Sequence, residues 1–62
     1  MSRIQYVNAV KLAQDNLEEA NRQLTHAKQD YAQGNISPER LHQLEELRDI
    51  AAQDLQRVIK EN

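Results

Sequence analysis

Apolar residues recur in steps of three and four along two stretches of the chain. In the first stretch the seven-residue repeat is unbroken, and alanine fills every second position from Ala13 to Ala27. Such spacing is typical of amphipathic helices that pack along one seam, and it predicts helices at about residues 3–33 and 38–60. The first series is Tyr6, Val10, Ala13, Leu17, Ala20, Leu24, Ala27 and Tyr31; the second is Leu41, Leu44, Ala51, Leu55 and Val58, widened by Leu47, Ala52 and Ile59.

The two helical stretches are separated at the only glycine and the only proline of the chain, Gly34 and Pro38. Glycine adopts the left-handed conformation that ends a helix at little steric cost. Ser37 is suited to cap the second helix, and proline fits its first position, where no backbone N–H is needed. Ile36 and Leu41 flank that cap with the spacing of a hydrophobic staple. A single tight turn is therefore predicted here.

A connection this short makes consecutive helices antiparallel neighbours. The fold class expected is all-α, an antiparallel two-helix hairpin that forms one domain over residues 1–62. Folding the chain about Asn35 brings the two apolar series into register. The predicted layers are Tyr31 with Leu41, Ala27 with Leu44, Ala20 with Ala51, Leu17 with Leu55, and Ala13 with Val58.

A hairpin of 62 residues has a thin core, and burial along one alanine-rich seam hardly offsets the entropy of ordering the chain. Several apolar residues also lie off the seam, where a lone hairpin leaves them in water. Pairing into a dimeric four-helix bundle would cover them, and so would docking onto a larger protein; we expect the homodimer. The off-seam residues are Ile4, Val7, Leu12 and Ile50, and those expected at the oligomer interface are Ile4, Val7, Leu47 and Arg48.

Arg48 is the one charged residue inside the apolar series of the second helix, level with Leu24. In one interpretation its aliphatic stem lies along the seam while the guanidinium reaches Glu45 or a carboxylate of a neighbouring chain. In the other, Arg48 specifies register or partner, the best-attested role of polar groups at core positions.

The composition limits the chemistry to be expected. The chain has no cysteine, two aromatic residues and a net charge of −2, which excludes thiolate metal sites, cysteine nucleophiles and platforms for base stacking. Glu39 and His42 have the E-x-x-H spacing of di-iron bundles, but both are expected to face solvent. His26 with Asp30 and His42 with Glu46 are one turn apart, as in ordinary surface pairs. The oppositely charged pairs Lys11 with Asp15, Glu18 with Arg22 and Arg57 with Glu61 have the same spacing, which is typical of a solvated helix face. We expect no enzymatic activity, metal or cofactor.

Acidic residues are concentrated on the second helix. Between Glu39 and Asp54 there are five acidic residues against Arg40 and Arg48, a bias that could serve a basic partner. The function expected is a small regulator or inhibitor that occludes a larger protein, of phage or other mobile-element origin, in the cytoplasm because the start of the chain lacks a signal-peptide pattern. The candidate contact residues are Leu12, Glu45, Glu46, Asp49 and Ile50.

Two resemblances accompany this interpretation. The turn segment, residues 27–41, resembles the hairpin tips of periplasmic efflux adaptors and the repeats of outer-membrane efflux proteins, in which a glycine, Ile-Ser and a following leucine mark the turn. The architecture as a whole is similar to the Rop-type plasmid hairpin, whose dimer binds paired RNA loops. That likeness implies the alternative function, a dimeric hairpin that binds structured RNA.

Overall fold

Two helices packed against each other make up the described chain. The computed structural model describes the backbone of residues 2–61 and the side chains of residues 9–61. Helix α1 spans Ser2–Ala32 and helix α2 spans Pro38–Lys60, and between residues 2 and 61 there is no strand. The predicted helices are thus confirmed to within one residue at each end, as is the all-α hairpin. Neither helix, as far as it is described, is long and apolar enough to cross a membrane.

The end of α1 is fixed by two backbone hydrogen bonds. The N–H of Asn35 donates to the carbonyl oxygen of Asp30 at 2.8 Å, and the N–H of Gly34 donates to that of Tyr31 at 3.0 Å. This pair of bonds is the Schellman arrangement, which satisfies carbonyls that the helix leaves without partners. It needs a left-handed residue, and Gly34 has a φ of 79°. The predicted role of the glycine is confirmed.

The start of α2 also follows the prediction. The hydroxyl of Ser37 accepts a hydrogen bond from the backbone N–H of Arg40 at 3.2 Å, and Pro38 occupies the first helical position. Ile36 and Leu41, the two residues of the predicted staple, both pack against the core. The turn is therefore anchored by a polar cap and an apolar contact at once.

The core is small and lies toward the turn. Leu24, Ala27 and Leu44 form one buried cluster, and Ala13 is buried farther along the seam. The shared cluster confirms that Ala27 and Leu44 belong to one layer. No other residue among 9–61 is buried. The hairpin measures 48 × 14 × 10 Å along its principal axes, so most side chains have only one helix to pack against.

Three residues assigned to the apolar series, Tyr31, Leu47 and Ile59, are exposed. Tyr31 retains 44% of its accessible surface, whereas Ile36 and Leu41 pack against the buried cluster. Ile59 is also exposed, on the flank of α2. Tyr31 therefore lies outside the core in which the predicted layer of Tyr31 with Leu41 would have placed it.

Candidate protein-interaction site

Three large apolar side chains are exposed on the same side of the hairpin. A depression near the turn is lined by Gln23 of α1 and Arg40 of α2, which marks the side on which both lie. On α2, Leu47 follows Arg40 by two helical turns, and Ile50 follows Leu47 by one more turn. On α1, Leu12 precedes Gln23 by three turns. Leu12, Leu47 and Ile50 therefore all lie on that side. We call this side, with Leu12, Leu47 and Ile50, the first face. Their exposed fractions are 62%, 51% and 61% respectively.

The depression near the turn opens onto the buried cluster. It has a volume of about 340 Å³, and its floor is apolar while its rim carries an imidazole, a carboxylate and a guanidinium. It exists because alanine, at position 27, leaves room above Leu44 that a larger residue would fill. The lining residues are Gln23, His26, Ala27, Asp30, Ile36, Arg40 and Leu44.

A second depression marks the opposite side of the hairpin. Leu17 and Leu55 line this depression together with Asn21, which places these residues on that side and agrees with the predicted layer of Leu17 with Leu55. Helical spacing puts Arg48 and Ile59 of α2 there too. We call this side, with Leu17, Arg48, Leu55 and Ile59, the second face.

Arg48 is partly buried but not held as expected. Its Nε donates to Oδ1 of Asp49 at 2.8 Å, and its side chain retains 36% of its accessible surface. The expected contact with Glu45 is not formed, and Glu45 lies 3.8 Å from Nδ1 of His42 instead. Helical spacing places the stem of Arg48 beside the seam, and its charge lies at Asp49 on the surface.

An acidic strip occupies the surface of α2 that points away from α1. We define it as Glu45, Glu46 and Asp49, which helical spacing places within about one third of the helix circumference. His42 lies at its N-terminal end, with Nε2 2.9 Å from Oε1 of Glu46 and Nδ1 3.8 Å from Oε1 of Glu45. The predicted pair of His42 and Glu46 is confirmed. Its imidazole is 70% exposed, so the cluster is a surface network.

The remaining charges form pairs within each helix. Lys11 with Asp15 at 3.3 Å is present as predicted. Glu18 attracts Arg22 through its charge, as its spacing predicts, but it is not the hydrogen-bond partner of Arg22. Arg22 instead donates to Glu19, one residue closer, where Gln23 donates to the same carboxylate and adds to the attraction. These hydrogen bonds, that of Arg22 first, lower the pKa of Glu19 below its ordinary value.

At the C-terminal end of α2 one guanidinium joins two carboxylates. Arg57 contacts Asp54 at 2.5 Å and Glu61 at 3.4 Å. The second contact was predicted, and the first adds a residue from the first face. The hydrogen bond to Asp54 is the main cause that raises the pKa of Arg57. Arg57 is thereby fixed along α2.

The candidate residues fall into two separate groups. Leu12, Leu47 and Ile50 share the first face, whereas Glu45, Glu46, Asp49 and Arg48 lie on the outer surface and second face of α2. The five candidate partner contacts are therefore not brought together, and Leu47 and Arg48 lie on opposite faces. Ile4 and Val7, also expected at the oligomer interface, lie outside the described side chains.

Sequence reasoning missed two polar residues that flank the exposed apolar pair. Gln43 precedes Leu47 by four residues and Asp54 follows Ile50 by four, so the four residues form a single row along α2. The same step of three and four that revealed the seam would have revealed this second row.

Metal-binding groups do not cluster within the part of the chain that is described: no three histidine, cysteine, aspartate or glutamate residues there are placed to hold an ion. Comparison with protein-family models, with curated proteins and with solved structures finds no match.

Proposed function

We propose that this chain is a non-enzymatic protein-interaction module that dimerises and then binds a larger protein, as a regulator or inhibitor that occludes the bound surface. The observation that carries the proposal is the imbalance between a core of four buried residues and five exposed large apolar side chains among residues 9–61. Exposed apolar side chains grouped on one side of a small domain are typical of interaction surfaces. In the cytoplasm, the location expected from the sequence, a second chain would cover them.

The acidic strip supports a basic partner. Its three carboxylates lie on the most accessible side of α2, and among residues 9–61 the basic side chains in contact with them are His42 and Arg48. A basic groove on another protein would meet them without a large rearrangement of the helix. Charges placed at the rim of such a contact steer association and select the partner more than they add affinity.

The test is capture of the partner with the tagged full chain from cells of its natural source, followed by affinity measurement. The triple variant E45K/E46K/D49K reverses the acidic strip. A matched control, D15K/E18K/E19K, makes the same change of charge on the outer surface of α1. We expect affinity to fall by more than about tenfold for the first variant and to stay within about threefold for the second.

Two outcomes contradict the proposal. Equal binding by both charge variants removes the acidic strip from the interface. Capture of structured RNA, with an affinity that falls steeply as salt is raised, supports the alternative function instead.

A further inference from the structure

The row of residues on the first face is self-complementary. We propose that the first face is the interface with a second copy of this chain, which packs antiparallel about a two-fold axis that passes between Leu47 and Ile50. The proposal rests on the dimer in the proposed function, and it specifies which face the two copies share and in what register.

The pair Leu47 and Ile50 is its own partner in this arrangement. The two residues are one turn apart on α2, and both are more than half exposed. A two-fold axis between them places Leu47 of one copy against Ile50 of the other, and the reverse. Four large apolar side chains then form one cluster, which no single hairpin can form.

The polar residues of the row also match. In the same register Gln43 of one copy lies opposite Asp54 of the other, so that an amide N–H can donate to a carboxylate on each side of the apolar cluster. Between Gln43 and Asp54 no charged residue points from α2 toward the first face, and charged residues are depleted at the centres of interfaces. Farther out, the same register sets Arg40 of one copy opposite Arg57 of the other, where Asp54 and Glu61 of the same chain offset the charge of Arg57.

Helix α1 contributes small residues and one further contact. Ala20 and Ala27 lie on the first face beside the axis, so two copies can approach closely there. Leu12 lies about 16 Å from the axis, at 1.5 Å per residue along α1. The two-fold operation brings it to the turn end of the other copy, where Ile36 lies partly exposed. Each exposed apolar residue of the first face thereby gains a partner.

The size of the face fits a second hairpin better than a short peptide. The Cα atoms extend 48 × 14 Å, a footprint to which side chains add a margin on every edge. A stable interface buries about 800 Å² on each partner. Only a partner as long as the hairpin reaches that area on this face, and a second copy is such a partner.

Sedimentation equilibrium of the full chain tests the face. The wild-type chain is expected at twice 7.2 kDa. The I50E variant places a carboxylate against Leu47 of the other copy. We expect the dissociation constant of its dimer to be at least about tenfold higher than that of the wild type. I59E makes the same change on the second face at a residue of similar exposure, and we expect its mass to equal that of the wild type. A monomeric wild-type chain, or a dimer disrupted by I59E and not by I50E, overturns the proposal.

Disulfide trapping tests the register even if I50E fails to fold. The chain has no cysteine, and residues 43 and 54 are about 16 Å apart along one helix, too far for a disulfide within a chain. Q43C/D54C should therefore form a covalent dimer at least about tenfold faster than E45C/Q56C, which has the same spacing on the opposite side. Equal rates for the two pairs contradict the register.

The outcome is independent of the larger partner. A dimer that is trapped through Q43C/D54C but captures no protein supports the first face as the interface and contradicts only the regulatory role. A monomer that still captures a basic protein supports the regulatory role and contradicts the interface.

Discussion

The N–H of Asn35 donates to the carbonyl oxygen of Asp30 across 2.8 Å, and this bond ends α1 and turns the chain toward α2. It depends on the left-handed backbone of Gly34, whose φ is 79°. A Cβ added at Gly34 meets no heavy atom within 4 Å. Any loss of stability on substitution therefore comes from the backbone conformation and not from crowding.

We expect G34A to lower the free energy of unfolding by about 1 kcal/mol, because the Cβ of alanine makes the left-handed conformation sterically unfavourable. G34N is the control, since asparagine tolerates that conformation better than alanine does. G34N should therefore lower the free energy of unfolding by less than G34A. Urea denaturation followed by circular dichroism measures both at one protein concentration. A G34A variant as stable as the wild type would show that the turn closes in another way.

The core cluster makes Leu24 the most sensitive apolar position. Leu24 retains 3% of its accessible surface and packs with Ala27 and Leu44. We expect L24A to cost about 2–5 kcal/mol, the range for truncation of a buried leucine, which is enough to unfold a domain this small. Loss of the helical signal at 222 nm at room temperature would report it.

The matched control removes the same atoms from an exposed site. In L12A the side chain is truncated at a residue that keeps 62% of its accessible surface in the single chain. L12A should lower the free energy of unfolding by less than half as much as L24A does. The size of this decrease should depend on protein concentration, because Leu12 belongs to the proposed dimer face. Equal losses at all concentrations would contradict the location of the core.

The hairpin could be predicted from sequence because local and global signals agree at the same residues. Gly34, Ser37 and Pro38 each specify the turn by backbone chemistry alone, and the seven-residue repeat specifies the seam. The exposure of the residues at the ends of the core could not be predicted in this way. Tyr31 continues the repeat but lies beyond the cluster that Ile36 closes, and periodicity does not show where a core ends.

The surface pairs could be predicted from sequence spacing only in part. Lys11 has Asp15 one turn on, and the pair forms. Arg22 has two candidate carboxylates, at three and four residues, and spacing is compatible with both. For Arg48 spacing favours Glu45, three residues before it, yet the contact formed is with the adjacent Asp49. The choice depends on rotamers and on competing donors such as Gln23 and His42, which spacing does not encode.

The contact of Arg22 with Glu19 leads to a prediction about acid. The pKa of Glu19 is lowered in the folded chain, first by the hydrogen bond from Arg22. A group with a lowered folded pKa stabilises the fold above its unfolded pKa, and that contribution is lost as the pH falls through the folded pKa. Glu19 should therefore remain ionised below its ordinary pKa of 4.5, and the contact should break only in stronger acid.

Carbon-13 NMR of the side-chain carboxyl measures this directly. In R22A the Glu19 midpoint should move up toward 4.5, the ordinary glutamate value, while K11A, which removes a cation from another pair, should leave it unchanged. Because the site is exposed, the change in overall stability should be small. A Glu19 midpoint identical in the wild type and R22A would refute the contact.

Arg48 is the position at which stability and specificity can be separated. Its stem lies beside the seam while its Nε is held by Asp49, and the side chain keeps 36% of its accessible surface. In R48L an apolar side chain replaces that stem without stranding a buried charge, because Asp49 is exposed. We expect the melting temperature to rise by a few degrees, about 1 kcal/mol for a domain of this size.

The same variant decides between the two interpretations of Arg48. If Arg48 specifies register, R48L should also broaden the distribution of oligomers in sedimentation velocity, since the second face then becomes as apolar as the first and two faces compete for a second copy. R48K keeps the charge and most of the stem, so it should retain the wild-type distribution. A rise in melting temperature with an unchanged distribution assigns Arg48 to the rim of the seam, and the first face alone then determines how two copies meet.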